Sequence, residues 1–243
     1  MEENMYGDSK FQWNVAVGCL FNCPYCEKSY KAQMKRQMPI IDKNGKKRGC
    51  QKCYDYEPHF HPERLDDKIL KRLPRTYGDE FIWCCSSSDI SFMKEEWINK
   101  IIEKIKEMPE RTFFFQSKDP ECFKKYSFPS NVILGTTIET DYDCSVISKA
   151  PAPYQRAISF RNINHPRKRV TIEPIMHIQD LNKFSDWIKA INPEIVYVGY
   201  DSKPNREPKL PEPTLFRTRK LIEKLEEFTK VKPKLLRERW DVL

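Results

Sequence analysis

The sequence predicts an α/β fold with a parallel sheet built from six β–α units. Short runs of β-branched and aromatic residues alternate along the chain with longer amphipathic stretches, and there is no internal repeat. The strand runs are nearly continuous in apolar residues, as is typical of parallel strands that are covered on both faces. Six such units form either part of a barrel or an open doubly wound sheet, and periodicity does not choose between them.

The same pattern predicts the position of each element. Strands are predicted at 11–17, 81–85, 112–117, 131–137, 169–175 and 194–200. Helical stretches are predicted at 27–37, 94–108, 121–126, 143–162 (broken), 180–191 and 215–228.

Two segments lie outside this alternation. Residues 38–79 are poor in strands and contain the basic stretch DKNGKKRGCQKC, followed by HFHPERL. Residues 201–213 are rich in proline and are predicted to form an ordered loop or a lid. We therefore expect a single domain over 1–243, with a Cys/His-containing insertion at about 38–79 and a Pro-rich loop at 201–213.

Composition and charge limit the classes of function. With 39% hydrophobic and 32% charged residues, the sequence is typical of a soluble globular protein. The N-terminus has neither a basic leader nor an apolar run, and no segment is apolar over the length of a transmembrane helix. The expected location is therefore cytoplasmic, with no membrane partner. The net charge of +8 suits either a polyanionic partner such as nucleic acid or a solvated basic surface.

Cysteine spacing gives the strongest functional indication. Nine cysteines in a chain expected in a reducing compartment favour metal binding or catalysis over disulfides. Cys19, Cys23 and Cys26 follow the first predicted strand with the spacing Cys-x3-Cys-x2-Cys. Thiolates bind soft metals, and closed zinc or iron–sulfur sites usually take four ligands. Three cysteines therefore indicate a centre with one open position, and the alternative is a structural zinc loop.

The stretch CLFNCPYC resembles the cluster-binding loop of the radical S-adenosylmethionine (radical SAM) superfamily, including an aromatic residue, Tyr25, before the last cysteine. The resemblance implies that Cys19, Cys23 and Cys26 bind a [4Fe-4S] cluster whose fourth iron is chelated by SAM. It implies reductive cleavage of SAM to a 5′-deoxyadenosyl radical, with an electron from a flavodoxin- or ferredoxin-like donor. It further implies a partial (β/α)6 TIM-like barrel, with Tyr25 beside the adenine.

A second resemblance covers most of the chain. It is to a phage-associated, largely uncharacterised radical SAM family that has similar motifs in the same order. The motifs are WNVAVGC…CPYC, HFHPERL, CCSSSDIS, TFFFQSKDP, NVILGTTIE, TIEPIM and VYVGYDS.

Residues at the carboxyl ends of the predicted strands are the candidates for SAM contacts, because loops converge there in a parallel barrel. Ser86, Ser88 and Asp89 follow the second strand, where the superfamily has a Gly-Gly-Glu segment that contacts the SAM amine. The alternative is that Asp89 or Ser91 caps the helix from Lys94.

The next two strands supply further candidates. Gln116 and Lys118 follow the third strand, and Lys118 is either a partner of the SAM carboxylate or simply an exposed lysine. By analogy with the superfamily, Thr137 and Glu139 at the end of the fourth strand would contact the ribose hydroxyls. Asp201, after the sixth strand, would contact substrate or the adenine end of SAM.

Three residues are candidates for a role in the reaction itself. Glu173 is a carboxylate in an otherwise apolar strand, and its burial is costly unless it is paired, which favours a functional role. Cys84 and Cys85 are neighbours on a strand and so face opposite sides. An inward thiol would donate a hydrogen atom to a product radical, and the alternative is a small buried hydrophobe.

Cys50 and Cys53 form a second Cys-x2-Cys pair, followed by His59 and His61. These residue types suit a Cys2His2 zinc site, although two histidines at i and i+2 are closer than in the usual finger. The possibilities are a zinc knuckle, part of a second iron–sulfur cluster, or packing residues beside the first cluster. We prefer zinc to iron as the metal.

The function predicted from these observations is a radical SAM enzyme, with nucleotide or DNA modification as the expected reaction class. A peptide or a small metabolite is the alternative substrate. A non-catalytic, zinc-stabilised nucleic-acid-binding protein is the alternative from another class.

Overall fold

The structure, a computed structural model, describes residues 6–45, 47–203, 207 and 209–242. Its strands are β1 (Ser9–Trp13), β2 (Ala16–Val17), β3 (Ile40–Ile41), β4 (Lys47–Arg48), β5 (His59–Phe60), β6 (Phe81–Cys84), β7 (Phe113–Gln116), β8 (Val132–Thr137), β9 (Lys168–Ile172), β10 (Ile195–Val198) and β11 (Lys230–Pro233). Its α-helices are α1 (Pro24–Cys26), α2 (Ala32–Met34), α3 (Gln51–Asp55), α4 (Asp67–Leu70), α5 (Glu95–Lys106), α6 (Pro153–Arg161), α7 (Leu181–Ile191) and α8 (Leu215–Glu226). Within the described ranges, no helix has both the length and the apolar character needed to cross a membrane.

The main sheet has seven strands in the order β1-β6-β7-β8-β9-β10-β11. The pairs β1–β6, β6–β7, β8–β9, β9–β10 and β10–β11 are parallel. The strand order advances in one direction along the chain, whereas a doubly wound sheet reverses its order at a switch point. The α/β class is confirmed, and the sheet matches the partial barrel of the radical SAM type.

The chain forms two compact units, the first of which comprises Met1–Phe115, Lys125–Val132 and Ile147–Lys149. Here β1 and β6 pair so that Trp13 lies opposite Cys84, and all four residues of β6 are buried. The amphipathic helix α5 buries one face, as its sequence pattern predicts. That face consists of Ile98, Ile101, Ile102 and Ile105.

The second unit comprises Gln116–Lys124, Ile133–Val146 and Ala150–Leu243. Its helices α7 and α8 begin at side-chain caps, which satisfy N–H groups that have no partner in the first turn. Asp180 accepts from the amides of Asn182 and Lys183 at 2.9 and 3.1 Å. Thr214 accepts from the amide of Arg217 at 3.3 Å.

Apart from shifts of up to three residues at element ends, the structure differs from the predicted elements in five places. The helical stretch predicted at 27–37 is a π-helical turn, α2 and a 3-10 turn in succession. The strand predicted at 11–17 is divided into β1 and β2. The helix predicted at 121–126 is a 3-10 helix, Pro120–Lys125, and only Pro153–Arg161 of the 143–162 stretch is α-helical. The sequence pattern also missed β11, because its sequence KVKP has no apolar run. Lysine and proline are typical of a strand at a sheet edge, where one side needs no partner.

The segment 38–79, which was predicted to be poor in strands, is built of short elements. It contains the antiparallel pair β3–β4, the helices α3 and α4, and β5, which pairs with β2. In this second pair Val17 lies opposite His59, so the insertion adjoins the strand that precedes Cys19. In the Pro-rich loop, Leu210 and Glu212 are buried, while 204–206 and 208 lie outside the described residues. The single-domain boundaries of 1–243 stay a prediction.

Candidate functional site

The three-cysteine loop begins at Gly18, in a conformation that excludes a side chain. Gly18 has φ +105°, and a Cβ there would lie 2.3 Å from the backbone carbon and oxygen of Glu57. Only glycine tolerates both this dihedral angle and this close approach. The chain leaves β2 through this residue and places Cys19 directly after the strand.

The other two cysteines lie at the start of a helical segment. Cys23 precedes α1, Pro24 is its first residue, and the amide of Cys26 donates to the carbonyl of Cys23 at 2.9 Å. The segment continues through a π-helical turn, Glu27–Lys31, and α2 to a 3-10 turn that ends at Gln37. The thiol of Cys23 is buried 3.1 Å from the hydroxyl of Ser148, whereas Cys19 and Cys26 are partly exposed.

The Ser86–Asp89 segment lies against Gly18, within the same unit. The amide of Gly18 donates to the carbonyl of Ser87 at 3.0 Å, and the amide of Asp89 donates to the carbonyl of Gly18 at 3.4 Å. Gly18 also forms a parallel β-bridge with Ser88. The structure therefore brings together two groups that the sequence predicted separately, the cysteine loop and the segment after the second predicted strand.

Asn14 organises this junction and was not recognised as a site residue from the sequence. Its side-chain oxygen accepts from the hydroxyl of Ser86 at 3.0 Å and from the amide of Ser87 at 2.9 Å. Asn14 belongs to the WN motif that follows β1, and this motif was the signal available in the sequence.

Asp89 acts as a cap, though not of the helix that was expected. Its carboxylate accepts from the amide and the hydroxyl of Ser91 at 3.0 and 2.8 Å, and so caps the 3-10 helix Ile90–Phe92. The helix α5 begins at Lys94 without a side-chain cap. Both hydrogen bonds end on Oδ1 of Asp89. The SAM contact of Asp89 stays a prediction, as does that of Tyr25.

Tyr56, in the insertion, adjoins the cysteine loop. Burial raises its pKa well above the usual value, and the neighbouring thiols of Cys26 and Cys19 raise it further. Cys19 packs against a small buried group formed by Val17, Cys53 and Tyr56. Apolar contacts thus hold the start of the cysteine loop against the insertion.

The donor set fits the group that the superfamily resemblance implies. Among the described residues none of the three cysteines forms a disulfide, and all three lie on one loop. Three thiolates are what a [4Fe-4S] cluster takes when one iron is left for another ligand. The alternative of a closed zinc site would need a fourth ligand.

In the second unit, two predicted SAM contacts pair with each other. The ammonium of Lys118 lies 2.5 Å from one oxygen of Glu139, and the guanidinium of Arg156 lies 2.7 Å from the other. Burial alone would raise the pKa of Glu139, but Arg156 and Lys118 outweigh it and lower the pKa to about 2. Arg156 was missed in the sequence because it lies in the middle of α6.

Gln116 and Thr137 are also brought together in this unit. The amide of Gln116 donates to the hydroxyl of Thr137 at 2.9 Å. These two residues end β7 and β8, so polar side chains meet at the carboxyl ends of the strands as predicted. Their contact with SAM stays a prediction.

Glu173 follows β9, and only one of its two carboxylate oxygens accepts a hydrogen bond. The ammonium of Lys234 donates to Oε1 at 3.1 Å, whereas Oε2 is buried with no hydrogen-bond partner among the described residues. Burial raises the pKa of Glu173, Lys234 opposes this, and Asp201 adds to it. Because Lys234 lies after β11, the strand that the sequence pattern missed, its pairing with Glu173 was not foreseen.

Cys84 and Cys85 are both buried, in the first unit. Burial raises the pKa of Cys84 well above its usual value and that of Cys85 to about 12. Both side chains are therefore neutral thiols, the form that donates a hydrogen atom. Cys85 has φ +57°, where the strand ends and the chain turns toward Ser86. The catalytic role of these two residues stays a prediction.

Cys50, Cys53, His59 and His61 converge, as their sequence spacing allowed. One ligand atom from each lies within 4.8 Å of the others, and this is the only such group of His, Cys, Asp and Glu among the described residues. Burial and the neighbouring Cys50 raise the pKa of Cys53 to about 12, and burial lowers the pKa of His61. A bound cation would favour the opposite protonation state at Cys53.

Comparison with models of protein families identifies the family of this chain. Residues 7–212 match the family described as "Protein of unknown function (DUF5131)". The chain belongs to this family. No curated protein matches the sequence of this DUF5131 chain.

Solved structures of spore photoproduct lyase have a similar fold. A cysteine-to-alanine mutant with dinucleoside spore photoproduct matches with a TM-score of 0.51 and 13% identity, covering 92% of this chain and 62% of that one. A double mutant with bound AdoMet and the same dinucleoside matches with a TM-score of 0.50 and 13% identity, covering 92% and 63%. The DUF5131 chain thus spans less than two thirds of the length of spore photoproduct lyase. At this identity the likeness concerns the fold, which agrees with the partial barrel.

Proposed function

We propose that this DUF5131 protein is a radical SAM enzyme in which Cys19, Cys23 and Cys26 bind a [4Fe-4S] cluster and SAM is the co-substrate. The observation that carries the proposal is the backbone pairing of Gly18 with Ser87 and Asp89, which places the cysteine loop beside a carboxylate. When bound by these three cysteines and reduced by a flavodoxin- or ferredoxin-like donor, the cluster would supply one electron for cleavage of SAM to methionine and a 5′-deoxyadenosyl radical that abstracts a substrate hydrogen.

The residues of the first unit would position SAM. The carboxylate of Asp89, fixed by its hydrogen bonds to Ser91, would accept from the amine of SAM, with Ser86 and Ser88 beside it. Tyr25, inside the cysteine loop, would pack on the adenine. The neutral thiols of Cys84 and Cys85 are suited to hydrogen-atom donation, although both are buried and a packing role is the alternative.

The second unit contains further residues that are proposed to contact SAM or substrate. Lys118 and Glu139 form a buried ion network with Arg156. The network would hold the ammonium of Lys118 and the carboxylate of Glu139 in fixed positions for contacts with the SAM carboxylate and ribose. Gln116, Thr137 and Asp201 would add hydrogen bonds. Glu173 keeps one carboxylate oxygen for a substrate or SAM donor.

We propose a nucleotide or DNA as the substrate, as in phage-associated nucleic-acid modification. The supporting observations are the net charge of +8 and the fold likeness to an enzyme whose structures contain a dinucleoside photoproduct. Lysine and arginine gain free energy by releasing counterions from phosphates, so the substrate reaction should weaken as salt rises while SAM cleavage persists. Salt-indifferent turnover of a peptide or metabolite would instead support the alternative substrate class.

Anaerobic reconstitution tests the chemistry. Iron and sulfide are counted, and 5′-deoxyadenosine is measured after adding SAM and a reductant or a flavodoxin-like donor. We expect a full cluster and 5′-deoxyadenosine in the wild-type protein, and neither in Cys23→Ala. The matched control is Cys122→Ala, which removes a buried thiol from the second unit and should retain its iron. Unchanged iron in Cys23→Ala would contradict the cluster assignment.

The same assay addresses the competing function. The alternative is a non-catalytic, zinc-stabilised protein that binds nucleic acid, and the observation that favours it is the Cys2His2 group. That alternative predicts zinc without iron, no broad iron–sulfur absorbance, and no SAM binding.

A further inference from the structure

The side chains of Cys50, Cys53, His59 and His61 surround one point in the insertion. The Nε2 atoms of the two histidines are 2.8 Å apart, and the sulfur of Cys53 lies 3.3 and 3.2 Å from them. The sulfur of Cys50 is 3.5 Å from Nε2 of His59. Three of the four side chains are buried, and Cys50 is partly buried.

Hydrogen bonds on the far side of each ring determine which nitrogen carries the proton. Nδ1 of His59 lies 2.7 Å from the carbonyl oxygen of Glu57, and Nδ1 of His61 lies 2.7 Å from a carboxylate oxygen of Glu63. A carbonyl and a carboxylate only accept hydrogen bonds, so both Nδ1 atoms must donate. In neutral imidazoles both Nε2 atoms then present lone pairs toward each other.

Two lone pairs at 2.8 Å repel unless a proton or a cation lies between them. Metal-binding histidines characteristically donate their other N–H to a carboxylate or a backbone carbonyl, which are the two partners present here. Even when the thiols of Cys50 and Cys53 each donate to one ring, no proton lies between the two nitrogens. A single cation at the centre would satisfy all four groups at once.

The local fold explains how so short a segment supplies four ligands. Cys50 precedes α3 and Cys53 lies within it, so the two sulfurs are close together. Tyr56, with φ +59°, reverses the chain toward β5. In an extended segment residues i and i+2 point to the same side, and for this reason His59 and His61 both reach the site despite their close spacing.

The ligand set determines the metal. We infer that Cys50, Cys53, His59 and His61 form a closed structural zinc site. Two thiolates and two neutral imidazoles balance the charge of Zn²⁺, and binding releases the two thiol protons. A tetrahedral set of two sulfur and two nitrogen ligands is typical of zinc, and four protein ligands leave no position open for catalysis.

The zinc site lies next to the cysteine loop within the same unit. His59 is on β5, which pairs with β2, and β2 leads through Gly18 to Cys19. Glu57, whose carbonyl accepts from His59, has its backbone against Gly18. Zinc would therefore stabilise the strand pair that positions Cys19, without itself taking part in the reaction.

Metal analysis of the full-length protein tests the inference. We expect one zinc per chain in the wild type and its loss in Cys53→Ser and in His59→Gln, while Cys122→Ser retains it. The triple variant Cys19→Ala/Cys23→Ala/Cys26→Ala should keep zinc and lose iron. This separates the zinc site from the proposed cluster, because the outcome for zinc stands even if the protein proves not to bind iron there.

Cobalt substitution provides a measurement that does not depend on a variant folding. Wild-type protein stripped with a chelator and titrated with Co²⁺ should develop the visible bands of tetrahedral cobalt with thiolate ligands, and Zn²⁺ should displace them. Absence of zinc from the wild type together with absence of these bands would overturn the inference. Iron at these four ligands, or loss of zinc in the triple variant, would overturn it as well.

Discussion

The guanidinium of Arg156 donates to Glu139 across 2.7 Å, and neither side chain is exposed to solvent. Breaking a buried pair leaves an uncompensated charge, whereas an exposed pair contributes little. Because Glu139 also pairs with Lys118, the three residues join the end of β8 to α6 and to the segment after β7.

We predict that Arg156→Met lowers the free energy of unfolding by about 3–5 kcal/mol. The control Lys220→Met, which breaks an exposed pair with Glu223, should cost less than about 1 kcal/mol. Urea unfolding monitored by circular dichroism measures both. A loss in Arg156→Met as small as that of the control would show that the network does not stabilise the fold.

The pH dependence of stability follows from Glu139. Its pKa is lowered to about 2 in the folded protein, so the unfolded chain binds this proton more readily. The stability that Glu139 contributes is present above the ordinary carboxyl pKa and is lost as the pH falls toward about 2. In Glu139→Gln this part of the acid sensitivity should disappear, as measured by unfolding at a series of acidic pH values. An unchanged pH profile would contradict the assignment.

Glu173 should change the stability with pH in the opposite direction to Glu139. Burial raises its pKa in the folded state, so its ionisation destabilises the protein as the pH rises above the ordinary carboxyl range. We predict that Glu173→Gln increases the free energy of unfolding near neutral pH, with a smaller gain in acid. If Glu173 binds substrate or SAM as proposed, the same variant should lose product formation. A stabilised and fully active variant would exclude that role.

Gly18→Ala should disrupt the cysteine loop. A Cβ at this position meets the backbone of Glu57 at 2.3 Å and requires an unfavourable φ, at a combined cost of roughly 2–5 kcal/mol. We expect a lower unfolding midpoint and reduced iron after reconstitution. Gly7→Ala is the matched control, because a Cβ there has no atom within 4 Å and should change neither quantity.

Asp89→Asn separates the two roles considered for this side chain. Asparagine keeps an oxygen to accept from Ser91, so the cap should survive, but it lacks the charge that would attract the SAM amine. We predict SAM affinity lower by about 10- to 100-fold with nearly unchanged stability, as measured by calorimetric titration and thermal unfolding. Wild-type affinity would indicate that Asp89 serves only as a cap.

Several functional relationships could be foreseen because they are local in sequence. Cys19, Cys23 and Cys26 share one loop, and Cys50 and Cys53 lie within one turn, so spacing alone indicates which sulfurs can share a centre. The apolar runs likewise predict most of the strands, because whether a segment is buried depends largely on its own residues. The pairs Glu173–Lys234 and Glu139–Arg156 could not be predicted in this way, since each joins residues distant in sequence.

The sequence by itself determined the α/β class, the three-cysteine loop and the residue types of the Cys2His2 group. Only the tertiary structure decided the one-directional order of the sheet, the edge strand β11, and the pairing of Gly18 with Asp89. It also decided that His59 and His61 turn their Nε2 atoms toward the same two cysteines. The physical reason is that hydropathy and spacing are properties of a segment. Strand order, ion pairs and ligand convergence instead depend on long-range contacts, whose free energy appears only when the whole chain packs.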